Sequence, residues 1–542
     1  MSKYDVEGSE KFEAGHMTDI VDDSNLAEEQ KGLKRDLRLR HMVMIAISGT
    51  IGTGLFLTTG TTIVGAGPGG AMIAYALIGI WLVFVCQAIG EVATLLPLPG
   101  AFNAWGARVF DEAFSFQMTW MYFINWALTV PAELSAVVTV VKYWVGPDSS
   151  FPPYVVPIIF IVIIVGINLI GVSAYGEAEY WFSVLKVVTI ILFIICGILV
   201  DAGAIGGVTY GMTGWKSGAF TTKLGFFNAL VSVGYSYGGT EMSGVTAAES
   251  RNPHKHVPKA VNTVLLRIAF FYIISVFLLS SIVSKDDPLL LNADGTAATS
   301  PFTIVLSKAG IKVAASYMNA VIFTSVFSAT NSDFYVATRM LLSLARNGWA
   351  PRVIGYTNSR GVPIYALTIV TLFSCISLIT IFVGSGVVFE WLVSIIGSII
   401  FQSWILILFL HFRFRYCWKA QGRAVEELPY VSWGYPYGNI IATLIGLLCI
   451  GATNVLSIIN TPSFPGTTNS TTSAYIQGLL GAWFPWVFSA ILYFGYKFTK
   501  GTKIINATEA DLDTGRFIPT ESDKADITGP KPFWKKVVSF LV

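Results

Sequence analysis

The sequence predicts an all-α polytopic membrane protein with about twelve membrane-spanning helices. Of its 542 residues, 54% are hydrophobic and only 13% are charged, whereas a soluble domain carries about 25% charged residues. From Met42 onward, about twelve apolar runs are long enough to cross a bilayer. The net charge of +2 is too small to indicate nucleic-acid binding, so no nucleic-acid partner is expected.

The apolar runs divide the chain into three parts. Residues 1–40 are predicted to form a cytosolic N-terminal tail, residues 41–500 the transmembrane domain and residues 501–542 a cytosolic C-terminal tail. The predicted spans are 42–63, 70–96, 118–143, 154–173, 180–200, 225–248, 261–283, 313–342, 364–383, 387–412, 439–460 and 478–498.

Basic residues indicate the orientation of these spans. They flank the first span and occupy the connections after spans six, eight and ten. Because basic connections stay in the cytosol, both termini are predicted to be cytosolic. Asn469 then lies on the outer side in a glycosylation sequon, although an unused match is the alternative there.

The first span contains an unusual stretch, Ser48–Phe56, with glycines at positions 49, 52 and 54. Glycine disfavours a regular helix. Within lipid, an unwound backbone needs protein or a water-filled cavity to satisfy it. We therefore predict a broken helix whose free N–H groups hold an anion such as a carboxylate. A helix-packing face of small residues is the alternative.

A second stretch, Tyr235–Glu241, interrupts the sixth span in the same way. The two interruptions lie five spans apart. Breaks at matching positions in two halves indicate a transporter built from an inverted repeat, with its binding site at the breaks. The sequence thus predicts a five-plus-five inverted repeat with broken helices 1 and 6, and spans eleven and twelve lie outside the repeats.

Charged residues inside spans usually face the interior of a helix bundle. Lys186 is several residues inside span five, where it either carries a proton during a transport cycle or forms a structural ion pair, with Glu179 or another carboxylate. Glu133 and Glu241 are candidates for substrate coordination or proton relay, with structural pairing as the alternative. Glu91 is another charged residue inside a span, and access to water near the inner end of span two is the alternative there.

No catalytic or metal-binding constellation is apparent. The histidines form no metal-ligand cluster, and no phosphate-binding loop or nucleophile elbow occurs. Gly65–Gly70 is glycine-rich, but it follows a membrane span and is expected to be an outer turn. The protein is therefore predicted not to be an enzyme and to need no cofactor or metal.

Several motifs together resemble the fungal amino-acid permeases of the amino acid–polyamine–organocation superfamily. The resemblance covers about residues 34–500. The motifs are Arg40–Phe56, Pro131–Ser135, Tyr237–Glu241, Glu249–Lys259, Asn331–Arg339, Ala345–Pro351, Gly361–Pro363, His411–Arg415, Lys419–Gly422 and Glu427–Pro429.

The resemblance implies a LeuT-like fold and proton-driven uptake of amino acids at the plasma membrane. The backbone of Gly52, Thr53 and Gly54 would hold the substrate carboxylate. Carbonyl groups near three residues of span six would hold the α-amino group, with an aromatic gate above. These span-six residues are Ser236, Tyr237 and Gly238, and the gate is Tyr235.

The resemblance also suggests how transport is coupled. Lys186 matches a lysine that, in some relatives, stands where sodium-coupled members bind the ion, which favours protons. Glu241 matches an acidic position linked to protonation.

Parts of spans one, three and ten favour basic or broad-range amino acids. An exchanger and a nutrient-sensing receptor with little transport are the alternatives, and membrane lipids, ubiquitin ligases and trafficking factors are candidate partners.

Overall fold

The computed structural model describes residues 51–98, 100–146, 151–170, 172–221, 223–242, 245, 252–290, 299–358, 361–459 and 471–518. The described residues are mostly helical, and no strand occurs among them. Ser48–Thr50, Asn469, the N-terminal tail and the end of the C-terminal tail lie outside them. The helices are α1 Gly54–Leu95, α2 Phe102–Val109, α3 Glu112–Val145, α4 Val155–Ile170, α5 Val172–Asp201, α6 Lys223–Tyr237, α7 Pro253–Ile282, α8 Pro301–Lys308, α9 Lys312–Arg346, α10 Ile364–Val383, α11 Ser385–Ala420, α12 Tyr437–Ile459 and α13 Thr471–Lys500.

Among the described residues, nine helices are long and apolar enough to cross a bilayer. The first of them, α1, contains the second half of predicted span one, from residue 54 onward, and nearly all of predicted span two. Two shorter helices complete the set: α4 is strongly apolar over 16 residues, and α6 has 15 residues. Within the described residues, each predicted span overlaps one of these helices, which confirms the all-α polytopic fold.

A tight corner at Gly67 separates the two halves of α1. Its φ of +78° is a conformation that glycine adopts without strain. A Cβ atom at Gly67 would lie 2.7 Å from the carbonyl oxygen of Ala219, and the N–H of Gly69 donates to that oxygen at 2.8 Å. Residues 65–70, for which we predicted an outer turn, are helical except for a kink at Gly67.

The interior of the bundle is built from two groups of helices. The long helix α3 packs against α9 and α11, while α1 packs against α6. This arrangement places the start of α1, the end of α6 and the middle of α3 side by side.

Glu91 in α1 is fully buried, which agrees with a charge that faces the bundle interior and not with the alternative of access to water. Its carboxylate accepts hydrogen bonds from Arg415 at 2.8 Å and from the backbone N–H of Ser432 at 2.8 Å. His411 Nε2 lies 2.9 Å away, and Asn439 contacts the other ring nitrogen at 2.7 Å. A buried charge must be paired and hydrogen-bonded, so these contacts fasten α1 to α11 and α12.

Residues 501–518, which we call the C-terminal strap, pack against one end of the bundle. Ile505 N–H donates to Phe110 O at 2.8 Å, and Phe517 N–H donates to Leu95 O at 3.2 Å. Gln421 at the end of α11 donates to Ala510 O at 2.7 Å. The strap thus connects the ends of α1, α2 and α11.

Protonation of Asp513 is expected to loosen the strap. The hydrogen bond from Arg423 holds the pKa of the Asp513 carboxyl below its usual range. Because the folded pKa is depressed, the stabilisation is present above the unfolded pKa and is lost as the pH falls below about 4. Fluorescent labels at Glu426→Cys and Glu509→Cys, two exposed positions, should separate over that range. Asp513→Asn should show the larger separation already at neutral pH, and an unchanged distance in both cases would contradict this role.

Candidate functional site

The two predicted breaks meet at Gly54 and Ser236. A Cβ atom at Gly54 would lie 2.4 Å from the Cα atom of Ser236, so the two backbones are in direct contact. Thr58, one turn further along α1, lies with its hydroxyl 2.7 Å from that of Ser236. The contact brings the beginning of α1 and the end of α6 together, as the paired-break interpretation expects.

The first break ends earlier than the sequence suggested. Ile51 and Gly52 are non-helical, but the chain is helical from Thr53 onward, with a π turn at Gly54–Thr58. Gly52 O accepts hydrogen bonds from the N–H groups of Leu55 and Phe56, at 3.1 and 3.3 Å. The N–H groups of Thr53 and Gly54 lie in the first turn, where the helix itself offers no acceptor and the helix dipole is positive.

The second break begins later than expected. Tyr235, Ser236 and Tyr237 are helical, and the turns begin at Gly238. Gly239 has a φ of +86°, which favours glycine. Helix ends leave carbonyl oxygens without intrahelical partners. The carbonyl of Ser236 accepts a hydrogen bond from Tyr272 at 2.6 Å, which leaves one lone pair for a ligand.

Glu133 of α3 joins the two breaks. Its carboxylate accepts a hydrogen bond from the hydroxyl of Thr53 and another from the hydroxyl of Tyr235, at 2.8 Å. Only 4% of Glu133 is exposed. One buried carboxylate therefore contacts a predicted carboxylate-binding residue on α1 and the predicted aromatic gate on α6.

Three fully buried tyrosines support the contact between α1, α6 and α7. The hydroxyl of Tyr237 donates to the carbonyl of Tyr75 at 3.1 Å. The ring centroids of Tyr237 and Tyr272 are 4.4 Å apart, and those of Tyr75 and Tyr237 are 5.7 Å apart. These residues hold the second break against the first. The sequence named Tyr237, but Tyr75 and Tyr272 carry no sequence signal that separates them from ordinary core aromatics.

Lys186 of α5 is buried among carboxylates. Its ammonium group interacts electrostatically with Glu179, Glu133 and Asp333, and 3% of the residue is exposed. The structural partner that the sequence suggested, Glu179, is thus present, but so is the carboxylate that joins the two breaks. Lys186 therefore lies between the site at the breaks and a second carboxylate on its own helix.

Glu241 occupies a different place in the bundle. Its carboxylate accepts a hydrogen bond from Tyr122 of α3 at 3.0 Å, and it interacts electrostatically with Cys86 of α1. Both contacts lie on helices that pack near the second break. The structure therefore brings Glu133 and Lys186 together and places Glu241 in a separate polar contact.

Comparison with known proteins identifies the kind of membrane protein that carries this site. The family model described as amino acid permease matches residues 41–506. The chain belongs to the amino acid permease family. The match includes both broken helices, Glu133 and Lys186, and it confirms the resemblance seen in the sequence motifs.

Individual relatives cover most of this permease. A lysine-specific permease from Lactococcus lactis subsp. cremoris is 41% identical over 503 residues, which are 91% of this chain and 95% of the relative. A histidine permease from the same organism is 41% identical over 490 residues, covering 90% and 99% of the two chains. An amino-acid permease from Candida albicans is 36% identical over 531 residues, covering 95% and 83%.

The permease should not tolerate a side chain at the crossing of α1 and α6. We expect Gly54→Ala to lose most of its transport, because the added methyl group would force the two backbones apart. Overpacking of this kind typically costs about 1–3 kcal/mol. Gly166→Ala in α4 is a matched control, since its Cβ atom would meet nothing within 4 Å. Uptake normalised to the amount of folded protein in the membrane tests the difference, and equal uptake by the two variants would refute the crossing.

Proposed function

We propose that this permease imports amino acids across the plasma membrane together with protons, with both termini in the cytosol. One observation carries the proposal: Glu133 joins the two helix breaks while it interacts electrostatically with the buried Lys186. A group that touches both the substrate site and a buried titratable cation can link occupancy of that site to proton movement.

The amino acid is proposed to bind between the breaks. Its carboxylate would accept hydrogen bonds from the N–H groups of Gly52, Thr53 and Gly54, near the positive end of α1. Its ammonium group would contact the carbonyl groups at the end of α6, which carry partial negative charge. These are the carbonyls of Ser236, Tyr237 and Gly238, with Tyr235 as the gate.

Protons suit this site better than sodium ions. While it is protonated, Lys186 is a cationic group inside the bundle, and its charge would disfavour a metal cation bound beside it. A proton, in contrast, can move between the amine and the neighbouring carboxylates. Lys186, Glu133 and Glu241 remain the candidates for coupling, and the first two lie in one electrostatic cluster.

The proposed substrates are basic or broad-range amino acids. Two relatives are named as lysine and histidine permeases, which supports a preference for basic side chains. The ring of Phe389 in α11 packs edge-on against the proposed gate, Tyr235, and the two ring centroids are 6.1 Å apart. Phe389 and its neighbours on α11 would therefore form one wall of the side-chain pocket.

Uptake of labelled lysine, with and without a protonophore, tests the proposal in cells that lack their own permeases. Accumulation should be lost when the proton gradient is dissipated. Uptake that ignores the gradient would refute proton coupling, and stimulation by preloaded amino acid without gradient dependence would indicate an exchanger. Competition by the other common amino acids would then define the substrate range.

The tails are proposed to bind ubiquitin ligases and trafficking factors, which affinity capture with each tail would test.

A further inference from the structure

A line of polar side chains leads away from Lys186 toward one end of the bundle. Glu179 of α5 accepts hydrogen bonds from two residues of α9, Ser328 at 2.7 Å and Asn331 at 3.3 Å. The side-chain oxygen of Asn331 in turn accepts a hydrogen bond from Asn168 of α4, at 3.1 Å. Polar contacts therefore run without a gap from Glu179 to α4.

Asn168 lines a pocket between α4, α9 and α10. The residues that line this pocket are Asn168, Tyr335, Thr338, Arg339, Val362, Pro363 and Leu367. Its volume of ≈ 280 Å³ includes the solvent at its open mouth, so Asn168 lies beside a shallow opening to solvent.

The pocket lies at the end of the bundle where α9 ends and α10 begins. Trp349 in that connection donates a hydrogen bond to Glu112 at the start of α3, at 3.0 Å. Tyr496 near the end of α13 donates to the same carboxylate at 2.6 Å. Because the connection between α9 and α10 carries Arg352 and Arg360, we predict that this end of the bundle faces the cytosol.

The charges around Lys186 do not balance. Three buried carboxylates, on Glu133, Glu179 and Asp333, face the single ammonium group of Lys186. Burying three negative charges beside one positive charge is strongly unfavourable. The cluster is therefore expected to hold protons that can move among its members, with Glu133 at the substrate end and Glu179 at the pocket end.

We propose that Glu179 is the last proton carrier before the cytosol. Once a water molecule or a side-chain movement brings the two groups into hydrogen-bond contact, the Lys186 ammonium gives its proton to the Glu179 carboxylate, which leaves a neutral amine and a neutral carboxylic acid. Glu179 then gives that proton to a water molecule from the pocket, which becomes hydronium as the carboxylate is restored. This inference rests on the proposed proton coupling and assigns the exit route for that proton.

Asn331 and Asn168 act as positioning residues in this route. A neutral amide is not a proton carrier, so the proton leaves only when water replaces the hydrogen bond between the two side chains. The pair of asparagines thus keeps the exit closed in this conformation of the bundle.

Purified full-length protein in lipid vesicles tests the route through two measurements. The first is exchange of labelled for unlabelled lysine without a proton gradient, and the second is lysine accumulation driven by an imposed gradient. Glu179→Gln should keep exchange within about twofold of wild type and lose gradient-driven accumulation. Asn168→Leu, which excludes water from the pocket, should slow accumulation in the same way without changing exchange. Glu426→Gln, at an exposed position, is the matched control.

Each outcome decides between the alternatives. Accumulation by Glu179→Gln and Asn168→Leu at the wild-type level would overturn the exit route while proton coupling stands. Equal loss of exchange and accumulation in both variants would also overturn it, since both residues would then be structural. If wild-type protein itself accumulates nothing under the gradient, the failure lies in the proposed function. Direct support would come from an internal pH dye that reports substrate-dependent proton release in wild type and little in either variant.

Discussion

Replacing Lys186 by methionine is expected to leave a folded protein in the membrane that no longer concentrates amino acids. Methionine fills much of the same space, but it removes the only ammonium group in the cluster that contains Glu133 and Glu179 among the described residues. Moving one elementary charge across 100 mV supplies about 2.3 kcal/mol, which corresponds to about 40-fold accumulation. We expect the accumulation ratio of the variant to fall to about one.

Transport of the Lys186→Met variant is best measured in vesicles, where the gradient is imposed. Lys142→Met is the matched control, because it removes the same charge from an exposed position near the end of α3. The control should accumulate substrate like the wild type. Accumulation by Lys186→Met at the level of Lys142→Met would show that Lys186 has only a structural role.

Replacing Glu91 by alanine should strongly destabilise the fold. The substitution leaves Arg415 buried without its carboxylate and removes the acceptor for His411 and the Ser432 N–H. Removing one partner of a buried ion pair typically costs about 3–5 kcal/mol. The expected result is a much lower melting temperature in detergent and little protein at the cell surface.

A double variant separates the lost ion pair from a simple cavity. Glu91→Ala combined with Arg415→Met removes both charges, so it should be more stable than Glu91→Ala alone. Glu426→Ala, at an exposed position, should be close to wild type. If the effects of Glu91→Ala and Arg415→Met simply add, the pair does not stabilise the fold as we infer.

The two helix breaks show how much of the structure can be predicted from the local sequence pattern. Closely spaced glycines predicted an interruption in spans one and six. Among the described residues, Ile51 and Gly52 before α1 are non-helical, and turns at residues 238–241 follow α6. The observed limits of the breaks differ from the predicted limits by a few residues, because helical backbone at Gly54 and at Tyr235–Tyr237 is compatible with the contacts made there. Thr53 and Tyr235 reach Glu133, and Ser236 reaches Tyr272. Tertiary hydrogen bonds thus decided how far each helix continues.

The charged residues show what the local sequence pattern cannot predict. A carboxylate in an apolar run predicts a buried partner, but it does not say which one. For Glu91 the sequence left access to water open as an alternative, and its partner Arg415 lies 324 residues further along the chain. Glu179 could be named as a neighbour of Lys186, but its bonds to Ser328 and Asn331 depend on how α5 packs against α9.

By itself, the sequence determined that this protein crosses a membrane many times, which glycine-rich stretches lie at helix ends and which charges inside spans are candidates for transport. Those features are local, because apolar length and closely spaced glycines act within one helix. Only the tertiary structure decided that Glu133 ties Thr53 to Tyr235, partners that are 80 and 102 residues away from it. Such contacts depend on which helix faces pack together, and packing is set by the shapes of the whole bundle rather than by any one segment.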